Sequence, residues 1–271
     1  MDFNFLKTFF KYKKYQYVNY RKNSYKHIYK SNLEINQYAA QLKKHGFVVI
    51  NNYLSKQKCD KIKEIIDNFI KYNPKLIWND KHKSDRRIYG AENISKEVKA
   101  LVEGYINFTK LIGRNYIQQD IDLYMMMANK TEYKANNEGS GDGWHKDSYS
   151  KQFKSIIYLN DVDENNGPFQ IIKKSNSNLF MLNLFLTMKN KYPSTRFTSD
   201  EILNVLKVKK EKLIDIKGLA GSLILVDTSL IHRGKPLVKN TRYALTNYFY
   251  PKNTFSNHEG HFKPLLKKIV N

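Results

Sequence analysis

Apolar residues recur at helical spacing in the first part of the chain and at alternate positions in most of the rest. Leu33–Lys43 reads as a helix that Gly46 stops, and the apolar run Phe47–Ile50 reads as a strand. Ser55 is placed to cap a second helix, on which Ile62, Ile65, Ile66, Phe69 and Ile70 share one face. Residues 76–94 are polar and aperiodic, so they read as an irregular connection carrying Trp78, Arg86 and Arg87. A third helix follows, with Val98, Leu101, Val102, Tyr105 and Ile112 in one stripe.

From residue 119 the period shortens from 3.6 to 2. Ile121–Ala128, Ser155–Leu159, Phe169–Ile172, Leu213–Ile216, Ser222–Asp227 and Tyr243–Tyr250 are short, rich in β-branched and aromatic residues, and bounded by turn formers. Such runs predict a sandwich or jelly roll. Leu179–Lys189 and Asp200–Leu206 read as helices of an insertion. The expected fold is mainly β with flanking helices. An arm over 1–30 precedes a single domain over 31–271, made of a helical part 31–118, a β core 119–250 interrupted by an insertion 177–212, and a tail 251–271.

Composition narrows the function. With 271 residues and 41% hydrophobic content, the chain has enough apolar surface for a core, which excludes general disorder. It lacks an uncharged apolar run of about 18 residues, so no transmembrane segment is expected. Lys7, Lys11, Lys13 and Lys14 interrupt the only stretch resembling a secretion leader. Cys59 is the single cysteine, which rules out an intrachain disulfide and fits a reducing, cytoplasmic setting.

The net charge of +22 attracts anions, yet it comes from 40 Lys and only 7 Arg beside 29 Asn, the residue set of A/T-rich codons. Base readout favours the planar guanidinium, so nucleic acid is not the expected partner. The first thirty residues interleave eight Lys/Arg with ten aromatics between Phe3 and Tyr29. That arm suits peripheral contact with an anionic membrane or with single-stranded bases. It suits better an amphipathic helix packed on the body.

Candidate chemistry centres on Trp144-His145-Lys146-Asp147, after Gly139, Gly141 and Gly143. In an extended segment His145 and Asp147 point to one side. His232, at the end of an apolar run and before the Gly234-Lys235-Pro236 turn, is the strongest third ligand. Two His and one carboxylate on one face leave the opposite face of a metal open, which favours non-haem Fe(II) over a closed, Cys-rich zinc site. Ten residues later Arg242 opens a strand that returns beside the metal end, where its guanidinium is placed to fork onto a carboxylate, and Thr246 shares its face.

These residues, with the stretch Tyr158 to Ile172 and its Asn166-Gly167-Pro168-Phe169 turn, resemble the phytanoyl-CoA dioxygenase family of Fe(II)/2-oxoglutarate oxygenases. The segment from Leu42 through Ser55 is similar to the family's opening helix, strand and turn, and the likeness spans residues 38 to 250. Lys173-Lys174 and Asn176 stand where the family commonly has Pro-Gly and a final His. Halogenating relatives lack the carboxylate that Asp147 supplies here, so the resemblance implies hydroxylation. It also implies a double-stranded β-helix (jelly roll, cupin-like) with a helical N-terminal half. The implied cofactors are Fe(II), 2-oxoglutarate as cosubstrate and O₂, with decarboxylation to succinate. His145, Asp147 and His232 would then be the metal ligands, and Arg242 the anchor of the cosubstrate's distal carboxylate.

Tyr124 and Met126 match cosubstrate-pocket positions in relatives, or are core residues of a Met-rich strand. Trp144 either walls the pocket or packs. Arg86 and Arg87 are candidates to grip a small, anionic substrate, because Arg is so scarce in this chain. Arg233 alternates away from the pocket. His258 and His261 lack a third partner and fall in the tail, while His27, His45 and His82 show no pattern. Two alternatives stand beside the oxygenase reading: a nucleic-acid-directed oxidative demethylase, and a non-catalytic β-sandwich binding module with a vestigial triad. The substrate's identity and the oligomeric state have no signature in the sequence.

Overall fold

A computed structural model describes residues 3–23, 32–188 and 191–270; His27 and parts of the arm and of the insertion lie outside them. Helix α1 (Phe3–Asn23) forms the arm, and it buries Tyr12 against Tyr149 and Phe185. Helix α2 (Leu33–His45) begins where Asn32 accepts the Ile35 amide and ends at Gly46, whose φ of 83° no branched residue adopts easily. Strand β1 (Phe47–Ile50) leads to α3 (Lys56–Tyr72), capped by Ser55.

The stretch expected to be irregular contains two strands, β2 (Trp78–Asn79) and β3 (Asp85–Tyr89). Strand β3 hides its alternation because its buried inward positions include Asp85, which pairs with Arg87, so charge takes the place of apolarity. After α4 (Lys96–Ile117) come β4 (Ile121–Glu132), β5 (Trp144–His145), β6 (Phe153–Tyr158) and β7 (Phe169–Ile172). The insertion holds α5 (Asn178–Thr187), β8 (Arg196–Phe197) and a π-helical turn over Glu201–Val205. Strands β9 (Leu213–Ile216), β10 (Leu223–Asp227), β11 (His232–Gly234) and β12 (Thr241–Pro251) follow. The segment read as a tail is a helix, α6 (Ser256–Val270).

All pairings among these strands are antiparallel. One sheet runs β1-β10-β6-β12-β4-β3-β2 and the other β8-β5-β11-β7-β9. Ile156, Ile224 and Ala244 of the first sheet meet Ile171 and Ile216 of the second, giving a double-stranded β-helix that does not close into a barrel. The outer face of the larger sheet carries the helical half, with Ile62, Ile66 and Val102 packed over Ile157, Leu245 and Phe249. Among the described residues no helix is long and apolar enough to cross a membrane.

Helix α4 lies so close to the sheet that a Cβ on Gly113 would fall 2.4 Å from the Phe153 ring and 2.7 Å from Ile121. In an exposed helix Gly→Ala gains about 1 kcal/mol. Here overpacking of about 1–3 kcal/mol outweighs it. Gly113→Ala is therefore expected to lower stability, read as a lower denaturant midpoint with unchanged slope; a higher midpoint would show that the helix has room to move.

Candidate metal centre

Strands β5 and β11 pair so that His145 and His232 are direct cross-strand partners, with ring centroids 4.2 Å apart. Asp147 follows in extended backbone, its amide donating to the Thr228 carbonyl at 3.0 Å. One ligand atom from each of His145, Asp147 and His232 lies within 4.8 Å of the others. The glycines before β5 make this approach available: Gly141 has φ 91°, and a Cβ there would sit 2.5 Å from the His145 ring.

Backbone carbonyls fix both imidazoles. His145 Nδ1 lies 2.9 Å from the Gly143 oxygen and His232 Nδ1 2.8 Å from the Leu230 oxygen. A carbonyl only accepts, so each Nδ1 carries the proton and each Nε2 keeps its lone pair for an ion. Both rings are held neutral: burial, then repulsion from His232, lowers His145 to about 3, and burial lowers His232 to about 4 against the pull of Asp147.

Burial pushes Asp147 toward the neutral acid, but the Lys154 ammonium against it outweighs that desolvation and keeps the carboxylate ionised. The Lys154 ammonium is 2.7 Å from Asp147 Oδ2 and rests 3.9 Å from the centroid of Tyr248. Nothing in the sequence reading marked Lys154; its signal was a lysine inside the otherwise uncharged, fully buried β6.

The histidine shifts set a pH dependence. Unfolded histidines take up protons near pH 6.5, whereas in the fold they resist until about 4 and 3. The unfolded state thus binds more protons over that window, so stability of the metal-free protein is expected to fall as pH drops from 6.5 toward 4. Thermal midpoints in chelator should show the slope, and His232→Gln should flatten it; equal slopes would contradict the burial argument.

The triad opens into a cavity of about 390 Å³. Arg242 and Thr246 of β12 line it, 4% and 8% exposed. Arg242 donates Nη1 to the Gly167 oxygen and Nη2 to Thr131 Oγ1 at 3.5 Å, fewer bonds than its five N–H groups can make. Its neighbour Asp85, 1% exposed, accepts from Arg87 Nε at 2.9 Å, Arg87 Nη2 at 2.6 Å and Ser140 Oγ at 2.8 Å.

Four expected positions fall elsewhere. Met126 points into the helical core, and Tyr124 packs under α6 against Phe255 and Tyr250, so neither lines the cavity. The pairing of β12 with β4 shifts register between Tyr248 and Phe249, skipping Tyr124, so Tyr124 and Met126 lie on different faces of β4. Met127 and Asn129 are the β4 residues on the cavity. Trp144 is 2% exposed, turned away from the cavity and stacked under Arg233, since it alternates with His145. Arg86 pairs with Glu132 outside the cavity, while Arg87 on the opposite face lines it.

Helix α6 supplies residues that sequence reasoning set aside. His258 and His261 stand at the cavity, His258 stacked on Tyr250 at 3.6 Å. Their helical spacing with Phe262 and Leu265 was the available signal. Arg196, paired across from His145, adds an exposed cation at the rim.

Two neutral imidazoles and one carboxylate on one side, with Cys59 remote in the helical core, fit a ferrous ion with open positions. Residues 42–240 match the sequence model of the family described as phytanoyl-CoA dioxygenase. No curated protein sequence matches the chain. Among solved structures, the chain is similar to SnoN, a non-heme alpha ketoglutarate dependent epimerase from nogalamycin biosynthesis, at 12% identity over 80% of this chain and 83% of that one, TM-score 0.60. HygX from Streptomyces hygroscopicus, solved with nickel and 2-oxoglutarate, matches at 12% over 80% and 87%, TM-score 0.57. EctD from S. alaskensis matches at 12% over 84% and 80%, TM-score 0.57. At such identities the likeness establishes the fold.

Proposed function

The chain belongs to the phytanoyl-CoA dioxygenase family of non-haem iron, 2-oxoglutarate-dependent oxygenases, and on that premise we propose that it hydroxylates a small, anionic organic molecule. The observation that carries the reading is the triad with both Nε2 lone pairs free, opening into the cavity that holds Arg242. His145, Asp147 and His232 would hold Fe(II), which when bound supplies O₂ activation coupled to decarboxylation of 2-oxoglutarate. Arg242 binds the distal carboxylate of the cosubstrate, and Thr246 adds a hydroxyl beside it.

The remaining residues orient and exclude. Lys154 holds one oxygen of Asp147, leaving the other to face the ion. Phe169, 5.2 Å from the His232 ring, and Tyr248 keep the site dry. Arg87 and Arg196 give the cavity a cationic wall in which Asp147 is the sole acid among the described residues, which favours an anionic substrate. Asp147 supports hydroxylation over halogenation, since its carboxylate occupies the position a halide would need.

The test is succinate formation from 2-oxoglutarate in the presence of small carboxylates, phosphate esters and neutral analogues. Stimulation by anionic compounds with stoichiometric hydroxylated product is expected. Stimulation confined to neutral compounds, or a rearranged product without added oxygen, would overturn the substrate class or the reaction type respectively.

A further inference from the structure

A second cavity, of about 180 Å³, lies against the same extended segment that carries His145 and Asp147. Lys146, between those two residues, reaches it, together with Lys43 at the end of α2 and Lys151. Tyr12 and Gln16 of α1 form another part of its wall.

The charges in this cavity do not cancel. The Lys146 side chain is 2% exposed, and its nitrogen has the Ser175 carbonyl at 3.3 Å and the Tyr149 ring at 5.8 Å as neighbours. Lys151 rests over the Tyr116 ring at 5.0 Å. Neither lysine, nor Lys43, joins an ion pair among the described residues. The one acid in the wall, Asp227, is fully buried and already accepts from four donors: the Tyr116 hydroxyl at 2.7 Å, the Asn176 amide at 3.0 Å, and the Gln152 and Ser229 backbone amides at 3.1 and 2.9 Å. Three lysines therefore face one carboxylate whose hydrogen-bonding capacity is taken. A lysine so buried keeps its charge only at a cost unless an anion completes its shell.

Further donors face the same space. The Tyr12 hydroxyl accepts from Gln16 Nε2 at 2.7 Å, which leaves its own proton for a ligand. We propose that the cavity binds a phosphate group, with Lys43, Lys146 and Lys151 as its cations and Tyr12 as a hydroxyl donor. Cations on several sides suit a compact dianion better than a monocarboxylate, and the volume accepts a free phosphate or the end of a phosphate ester. The bound anion fastens α1 to the segment between the two metal-ligand positions, so it gives the basic arm a role distinct from nucleic-acid or membrane contact.

The test is calorimetric titration of the full chain, without added metal and in chloride buffer, with inorganic phosphate and separately with glycerol phosphate. One saturable site is expected, together with slower proteolysis within α1. Loss of a charge-assisted contact in Lys151→Met should weaken affinity about tenfold. Lys43→Met, at an exposed position, gives a second variant whose folding is not at risk, and Lys217→Met on the far surface should bind as the parent does. Binding of both compounds identifies free phosphate as sufficient, and binding of the ester alone identifies the esterified source. Absence of saturable binding at millimolar concentration, or parental affinity in both Lys151→Met and Lys43→Met, would overturn the proposal. The measurement involves neither iron nor turnover, so its outcome is independent of the oxygenase reaction.

Discussion

Asp147→Ala is expected to abolish ferrous binding, to lower succinate formation by about a thousandfold, and to destabilise the fold. The rate effect follows from loss of a ligand whose ion contributes about 4 kcal/mol or more to transition-state stabilisation. The stability effect has a different origin. Lys154 is 7% exposed and its ammonium pairs with Asp147, so removing the carboxylate leaves a buried cation without a counter-charge, beside the Tyr248 ring. Breaking one side of a buried pair costs about 3–5 kcal/mol. Adding Lys154→Met to Asp147→Ala should restore much of that stability while leaving iron binding absent. Thermal unfolding and anaerobic iron titration of the single and double variants separate the two roles. Iron binding by Asp147→Ala at parental affinity would remove Asp147 from the ligand set.

Arg242→Met is expected to raise the 2-oxoglutarate KM by about a hundredfold, with a smaller fall in kcat at saturating cosubstrate. The guanidinium is buried and already oriented by the Gly167 carbonyl and Thr131, so its remaining N–H groups are pre-set for a carboxylate. A forked charge-assisted contact of about 1.5–3 kcal/mol corresponds to roughly ten- to a hundredfold in binding. Arg242→Lys should recover little of it, since an ammonium lacks the planar fork. Steady-state kinetics in 2-oxoglutarate decide the matter: a lowered kcat with an unchanged KM would place Arg242 in the structural network around Asp85 instead.

How much of this was legible in the sequence differs from residue to residue. The convergence of His145, Asp147 and His232 was legible because alternation in extended backbone is reliable over two residues, and the apolar run before His232 marks a buried strand. Helices α3 and α4 announced themselves through single apolar faces, and α3 also through its Ser55 cap. The match to relatives misled at Tyr124 and Met126, which are packing residues as their place on a Met-rich strand also suggested, and the register shift at Tyr124 separates their faces. Alternation was silent at β3, because Asp85 and Arg87 bury charge against charge. Lys154 carries no local motif; its meaning depends on a carboxylate seven positions earlier and an aromatic ring on another strand. The middle turn shows the converse: Lys174 adopts φ 61° where the family commonly has Gly, so the backbone keeps a conformation its residue type does not advertise.

The most direct measurement is an anaerobic titration of the protein with Fe(II) and 2-oxoglutarate, followed by visible absorption. A ferrous ion held by His145, Asp147 and His232 would bind the cosubstrate directly and give a metal-to-ligand charge-transfer band that saturates at one iron per chain and is absent in His145→Ala. A folded protein that gives no band, or a band of parental intensity in His145→Ala, would contradict the assignment of the metal centre.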